Sequence, residues 1–271
     1  MKVELLRDLD REGGWLLLVD GSEQSYVVLG NPIHLEFEYV QHLTQVIETW
    51  RKGGDPLPAV HLGGGLCTVP RWIAARHPGS AQLVIEASEE IAGLCRSLPL
   101  PAGVTLRVAD ALAWLADGGG EGMAGLARPP ALCVIDVYAG PATVTAPYAL
   151  DALGRISGGL ALGGLVVANL SDAVPFALAR SAAAAMAVLW ERVAVVAEPA
   201  VLRGRRSGNL VLAATDGPLD PRELARRCAS GMVRGRVLTA AALREWIGDA
   251  VPVARAEDLP PSGEISGLRL G

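Results

Sequence analysis

Three short segments place glycines or acids where an apolar run of strand length ends. The run "PAVHL" is followed by Gly63, Gly64 and Gly65. The run "AQLVIEA" carries Glu86 near its end, and "VTLRVAD" ends at Asp110. Glycine lets a backbone turn tightly and approach a ligand closely. Glu86 can accept hydrogen bonds from both ribose hydroxyls, and Asp110 can accept one from an adenine amino group. Together they predict a nucleoside site at the carboxyl ends of parallel strands.

Each of these features also has a purely structural interpretation. The glycines can form a helix-entry turn, and each acid can be a solvated strand end or a helix cap. The pattern typical of a dinucleotide site requires glycine at position 68, where the sequence has Thr68. The spacing therefore favours a nucleoside over a dinucleotide, and it leaves open which nucleoside is bound.

A fourth apolar run, "ALCVID", ends at Asp136, and Tyr138 follows two residues later. A carboxylate within hydrogen-bond reach of an amine can accept its proton or orient its lone pair. A tyrosine beside that carboxylate can stack on a ligand or hydrogen-bond to it. The alternatives are that Asp136 caps the next turn and that Tyr138 packs under a loop. Both residues are candidates for catalysis.

The segments that carry these residues belong to an alternation of apolar strands and amphipathic helices. This alternation indicates a parallel sheet covered on both faces. We predict an α/β fold with a Rossmann-like, seven-stranded, mostly parallel sheet, helices on both faces and an antiparallel pair at one edge. The run "GWLLLVDGSEQSYVVL" predicts a small N-terminal β-hairpin region. The expected organisation is a β-rich region over 1–36 and a Rossmann-like nucleoside-binding domain over 37–271, ending in a helical tail.

Composition and charge exclude several classes of partner. The 271 residues carry a formal net charge of −5 without a basic block, so neither nucleic acid nor a membrane is expected as a partner. The longest apolar run, "GGLALGGLVVANL", is too short to span a bilayer. The acidic start lacks the apolar core of a signal peptide, and we expect a cytoplasmic protein. The four cysteines form no CxxC pair, and no metal is expected.

Together these motifs resemble the spermidine synthase family, the polyamine aminopropyltransferases, which share the class I S-adenosylmethionine methyltransferase fold. The similarity runs from about residue 13 to about residue 215. The segment "VDGSEQ" matches the family's LDGxxQ and offers Gln24 as a nucleoside contact, and "FEYVQHL" retains the family's tyrosine as Tyr39. By resemblance, Glu86 holds the ribose and Asp110 lies on the adenine side. Asp136 then helps to take a proton from the attacking amine.

The resemblance implies a transferase whose co-substrate is S-adenosylmethionine or its decarboxylated form. An aminopropyl or alkyl group would be transferred to a small-molecule amine or another nucleophilic acceptor. The family commonly forms dimers and the N-terminal strands leave edges that need cover, so a homodimer is expected. Two alternatives stay open, namely an S-adenosylmethionine-dependent methyltransferase and a relative that kept the fold without turnover.

The sequence departs from the family where acids are expected around a polycation. Leu66 replaces the acid of the glycine loop, and Ala139 replaces the second acid after strand four. Val40 and Gln41 stand where the family has His and Glu. Because burying a charge without a partner is costly, these departures predict weak or absent turnover with putrescine. They predict a less charged acceptor.

Overall fold

The computed structural model describes residues 1–117, 126–139 and 142–262, and the end of the predicted domain, 263–271, lies outside the described residues. Within the described part, no helix combines the length and the apolar character needed to cross a membrane. The side chains at positions 139 and 142 are also outside the description.

The N-terminal β-rich region forms a three-stranded antiparallel sheet of β1 (Val3–Arg7), β2 (Gly14–Val19) and β3 (Ser22–Val28). The predicted hairpin between β2 and β3 is confirmed. Its two-residue loop, Asp20–Gly21, has positive φ at both positions, as the tight turns that suit twisted strands require. The sheet differs from a simple hairpin because β1 pairs along β2.

Among the described residues, a second sheet contains eight strands, and a two-stranded ribbon lies beside it. The eight strands are β4 (Ala59–Leu62), β5 (Gln82–Glu86), β6 (Val104–Val108), β7 (Leu132–Ile135), β10 (Leu165–Asp172), β11 (Arg192–Ala197), β12 (Gly208–Thr215) and β13 (Arg236–Thr239). The ribbon consists of β8 (Tyr138–Ala139) and β9 (Ala142–Thr143).

The strand order of the large sheet is β13-β11-β12-β10-β7-β4-β5-β6. The strands from β10 to β6 pair in parallel, whereas β12, β11 and β13 each join antiparallel to the neighbouring strand. The mostly parallel Rossmann-like sheet is therefore confirmed, with one strand more than the seven predicted. The additional strand β13 comes from the tail that was predicted to be helical, and its four residues pair along β11.

The helices follow the strands in the predicted alternation. Those described are α1 (Glu38–Trp50), α2 (Thr68–Arg76), α3 (Glu89–Ser97), α4 (Ala111–Ala116), α5 (Leu150–Gly159), α6 (Ala177–Leu189), α7 (Pro199–Leu202), α8 (Pro221–Ser230) and α9 (Ala240–Ile247). Ser88 caps the N-terminus of α3, because its hydroxyl accepts from the Ile91 amide at 3.2 Å.

The apolar core lies on both faces of the large sheet. One cluster joins the sheet to α4, α5, α6 and α9, and the other joins it to α1, α2 and α8. A third cluster contains Leu17 and Val27 of the N-terminal sheet together with Leu66 and Leu98. The N-terminal sheet is therefore packed against the segment that follows β4, which is where the glycine run lies.

Candidate active site

A cavity of about 150 Å³ opens at the carboxyl ends of the central parallel strands. It is lined by every site residue predicted from the sequence. These residues are Gln24, Tyr39, Gly63, Gly64, Gly65, Glu86, Asp110, Asp136 and Tyr138. Open α/β sheets bind their ligands at this edge, so the fold brings all the candidates to one place suited to a ligand.

Two of the three glycines combine a close approach to neighbouring atoms with a positive φ. Gly63 has φ +91°, and a Cβ there would lie 1.9 Å from the backbone oxygen of Asp136. Gly65 has φ +49°, and its Cβ would lie 3.0 Å from that of Ser25. A side chain at either position would meet both steric clash and backbone strain. The glycine turn therefore brings β4 against the end of β7, where Asp136 lies.

Glu86 is 8% exposed and holds the glycine turn in shape. Its Oε2 accepts from the amides of Gly64 at 2.9 Å and Gly65 at 3.3 Å, and its Oε1 accepts from the Ser88 amide at 2.9 Å. An ionised carboxylate offers about four acceptor sites. Three are used here, which leaves room for about one ligand hydroxyl rather than the two expected from the sequence.

Side chains of the N-terminal sheet hold the same turn from the other side. The Ser25 hydroxyl accepts from the Leu66 amide at 3.1 Å and bonds the Thr68 hydroxyl at 3.0 Å. Thr68 in turn donates to the Tyr26 carbonyl at 3.0 Å. Thr68, which stands where the dinucleotide pattern requires glycine, thus ties the turn to β3. The sequence reasoning missed Ser25, although it lies beside Gln24 and directly follows the "VDGSEQ" motif.

Asp110 follows the third parallel strand and caps a helix. Its Oδ1 accepts from the Leu112 amide at 3.0 Å and the Ala113 amide at 2.8 Å, at the start of α4. Asp110 is therefore a helix cap, which is the structural alternative that the sequence offered for it. The cap uses Oδ1 only, and Asp110 also lines the cavity. Capping and ligand binding are compatible here.

Asp136 is held at the end of β7 by two side chains from distant elements. Its Oδ1 accepts from Asn169 Nδ2 at 2.9 Å, and its Oδ2 accepts from the Tyr39 hydroxyl at 3.0 Å. Burial raises the pKa of Asp136 to about 6, against the lowering effect of these two hydrogen bonds. The carboxyl group is thus mostly ionised at neutral pH and has a pKa suited to accepting a proton.

Tyr138 belongs to the same hydrogen-bond network. Its hydroxyl accepts from Asn169 Nδ2 at 2.9 Å and lies 3.1 Å from the Ser171 hydroxyl, which bonds Asn209. Burial, and then the charge of Asp136, raise the pKa of Tyr138, so it stays neutral. The sequence reasoning missed Asn169, Ser171 and Asn209. The sequence feature that could have revealed these three residues is that each is a polar residue in a strand that is otherwise mostly apolar.

The positions that depart from the family differ in what they contact. Leu66 is fully buried against the N-terminal sheet and does not line the cavity. Gln41 donates to the Leu35 carbonyl at 2.9 Å, and Val40 lines the cavity. The side chain of Leu66 is therefore part of the core and adds no apolar surface to the cavity.

Neither a protein-family model nor a curated protein sequence matches this chain. Among solved structures, a probable spermidine synthase from Corynebacterium glutamicum is 30% identical, with a TM-score of 0.81 over 99% of this chain and 95% of that chain.

Two more distant structures share the fold alone. A spermidine synthase in complex with the transition-state analogue AdoDATO is 12% identical, with a TM-score of 0.56 over 86% of this chain and 77% of that chain. Human methyltransferase-like protein 13 in complex with SAH is 18% identical, with a TM-score of 0.52 over 77% of this chain and 89% of that chain. The 30% identity to the Corynebacterium protein covers nearly both whole chains. The chain therefore belongs to the spermidine synthase family, as a diverged member.

Proposed function

We propose that the protein is a transferase that binds an S-adenosylmethionine-type nucleoside and passes an aminopropyl or alkyl group to an amine acceptor. The observation that carries this proposal is the position of Asp136. Its carboxyl group, with a pKa raised to about 6, lines the same cavity as the glycine turn and Glu86. A proton acceptor and a nucleoside-type turn thus share one site in a member of a transferase family.

The residues of the cavity fit such a donor. Glu86 Oε1 retains an acceptor site for a ribose hydroxyl, as the count of its hydrogen bonds indicates. Asp110 lines the same cavity and is the residue we propose for the adenine amino group, and Gln24 lines the wall supplied by the N-terminal sheet. A sulfonium donor supplies an activated carbon and a neutral thioether leaving group. The protein must then mainly align the acceptor and exclude water.

The transfer step balances with Asp136 as the proton acceptor. The neutral acceptor amine attacks the carbon attached to sulfur, a C–N bond forms, and the C–S bond breaks with its electron pair going to sulfur. The nitrogen then carries one surplus proton, which Asp136 accepts. Tyr39 and Asn169 keep the carboxylate oriented through their hydrogen bonds. Tyr138 stays neutral beside it and adds no charge to the acceptor site.

The experiment is an assay of the purified protein with S-adenosylmethionine and, separately, with its decarboxylated form. Each donor is offered with a panel of amines, and the products are identified by mass spectrometry. Methylthioadenosine together with an aminopropylated amine is the result we expect from the decarboxylated donor. Formation of S-adenosylhomocysteine instead identifies a methyltransferase. If the nucleosides bind and no amine is modified, the chain is a relative without turnover and the proposal is wrong.

A further inference from the structure

Two buried cysteines lie in contact directly behind the glycine turn. The sulfur atoms of Cys67 and Cys95 are 3.4 Å apart, although the residues are 28 positions apart in the chain. Cys67 stands at the start of α2, whereas Cys95 belongs to α3, and both are free thiols. A disulfide bond is about 2.05 Å long, so the two sulfurs would have to approach each other by about 1.4 Å.

A buried cation lies beside this pair. Arg71 is 5% exposed, and its Nη2 has no hydrogen-bond partner among the described residues. Its Nε donates to the Leu66 carbonyl at 3.0 Å, and its Nη1 donates to the Pro99 carbonyl at 2.6 Å. Both of these acceptors are neutral. A guanidinium in this position favours the ionised form of a neighbouring thiol.

The four cysteines differ in how readily they ionise. The hydrogen bond between the two thiols lowers the pKa of Cys95; burial opposes this effect, and the charge of Arg71 adds to it. The same hydrogen bond, together with burial, raises the pKa of Cys67. Burial raises the pKa of both Cys133 and Cys228. Cys95 is therefore the cysteine that most readily supplies a thiolate, which is the form that reacts with oxidants.

The geometry points to a redox site in which Cys67 and Cys95 form a reversible disulfide on reaction with a small peroxide. The Cys95 thiolate attacks one peroxide oxygen, so that an S–O bond forms, the O–O bond breaks and hydroxide leaves. The Cys67 sulfur then attacks the sulfenic sulfur, an S–S bond forms, and the S–O oxygen leaves as water with the Cys67 proton. Two thiols are oxidised, and one hydrogen peroxide is reduced to two waters.

The position of the pair links it to the nucleoside side of the main cavity. The Cys67 amide donates to the Gly64 carbonyl at 2.8 Å, and Cys67 has a φ of +59°. Cys95 lies inside α3, where helical hydrogen bonds fix its backbone. The approach of the sulfurs is therefore taken up by the turn, and the amides of Gly64 and Gly65 shift relative to Glu86. Oxidation of the pair thus weakens nucleoside binding.

The test is peptide mapping of the reduced wild type after treatment with hydrogen peroxide. Remaining thiols are blocked with N-ethylmaleimide, and the protein is digested with trypsin without a reductant. Trypsin releases Cys67 in peptide 53–71 and Cys95 in peptide 77–96. We expect these two peptides to be joined, to separate with dithiothreitol, and the other two cysteines to carry maleimide.

Peroxide treatment in urea is the control for the folded geometry, because in the unfolded chain the four cysteines should pair without this preference. Cys95→Ala should abolish the cross-link, whereas Cys228→Ala, a matched change of a buried cysteine in α8, should keep it. The map of the wild type needs no variant to fold. Free thiols at Cys67 and Cys95 after treatment, or the same pairing in the folded and the unfolded chain, would overturn the redox site.

A binding measurement tests the link to the glycine turn. Methylthioadenosine is titrated by calorimetry into the reduced, the oxidised and the re-reduced wild type. Kd should rise about two- to tenfold on oxidation, the factor for weakening one hydrogen bond, and return with dithiothreitol. Peroxide-treated Cys95→Ala should keep its Kd. An equal Kd in the two forms overturns this link, whereas a reduced protein that binds no nucleoside contradicts the proposed function and leaves the peptide map to decide on the disulfide.

Discussion

The two halves of the main cavity are held in place by different kinds of contact. On the nucleoside side, backbone amides of the glycine turn donate to Glu86, which lies 21–22 residues further along the chain. On the acceptor side, Asp136 is held by the side chains of Tyr39 and Asn169, which are 97 and 33 residues away. The two donors of the nucleoside side are backbone amides, which a substitution other than proline in the turn keeps as long as the chain path is kept. On the acceptor side both donors are side chains, and one substitution at position 39 or 169 removes a donor. The donors of the nucleoside side thus depend on the fold, whereas those of the acceptor side can diverge within it.

The largest effect is expected from a substitution in the glycine turn. Gly63→Ala places a Cβ 1.9 Å from the Asp136 carbonyl oxygen at a φ of +91°. The free energy of unfolding should fall by more than about 4 kcal/mol, a loss reached by few single substitutions. Urea denaturation measures it.

Gly93→Ala is the control for this prediction, because Gly93 lies in α3 with nothing within 4 Å of its Cβ position. Its stability should be unchanged or raised by about 0.5–1 kcal/mol. Similar stabilities of the two variants would show that the turn is not fixed by its backbone.

On the acceptor side, we expect a large loss of turnover without a loss of the fold. Asp136→Asn keeps the shape and removes the base, so kcat should fall by about 10²–10⁴-fold, while nucleoside affinity stays. Asp151→Asn, at an exposed position in the first turn of α5, should leave kcat unchanged. Steady-state kinetics and calorimetry give the two quantities. A loss of kcat below about tenfold would reduce Asp136 to a structural cap.

A smaller effect tests the hydrogen bonds to Asp136. Because protonated Asp136 cannot accept a proton, kcat/KM should fall as the pH drops through about 6. Asn169→Leu removes a hydrogen bond that favours the charged form, so the midpoint should move up by roughly one pH unit. Ser171→Ala should leave it in place, because Ser171 bonds Tyr138 and Asn209 instead. A midpoint that is unchanged in Asn169→Leu would contradict the network.

Local patterns were enough to predict much of the fold and the nucleoside side. The large sheet follows from the alternation of apolar strands and amphipathic helices, and the N-terminal hairpin follows from the turn residues between β2 and β3. Gly63 and Glu86 were found because each ends a strand that the sequence pattern predicts. Strand β13 was missed because four residues are too few to show a period, and its pairing depends on the edge of β11.

The acceptor side could not be predicted in the same way. Asn169 lies in a continuous apolar strand, and its partners Asp136 and Tyr138 are more than thirty residues away. Tyr39 reaches Asp136 only because the start of α1 lies beside the end of β7 in the folded chain. Contacts of this kind depend on tertiary packing and leave no periodic signal in the sequence.

The central claim is that the cavity holds an adenosyl nucleoside through Glu86, and calorimetric titration tests it most directly. S-adenosylhomocysteine and methylthioadenosine are titrated into the wild type, Glu86→Ala and the exposed control Glu89→Ala, each checked for folding by urea denaturation. We expect one nucleoside per chain in the wild type and the control. In folded Glu86→Ala, binding should weaken by about 1.5–3 kcal/mol, the range for losing hydrogen bonds to a charged group. Equal affinity in folded Glu86→Ala, or no binding to the wild type, would contradict the account.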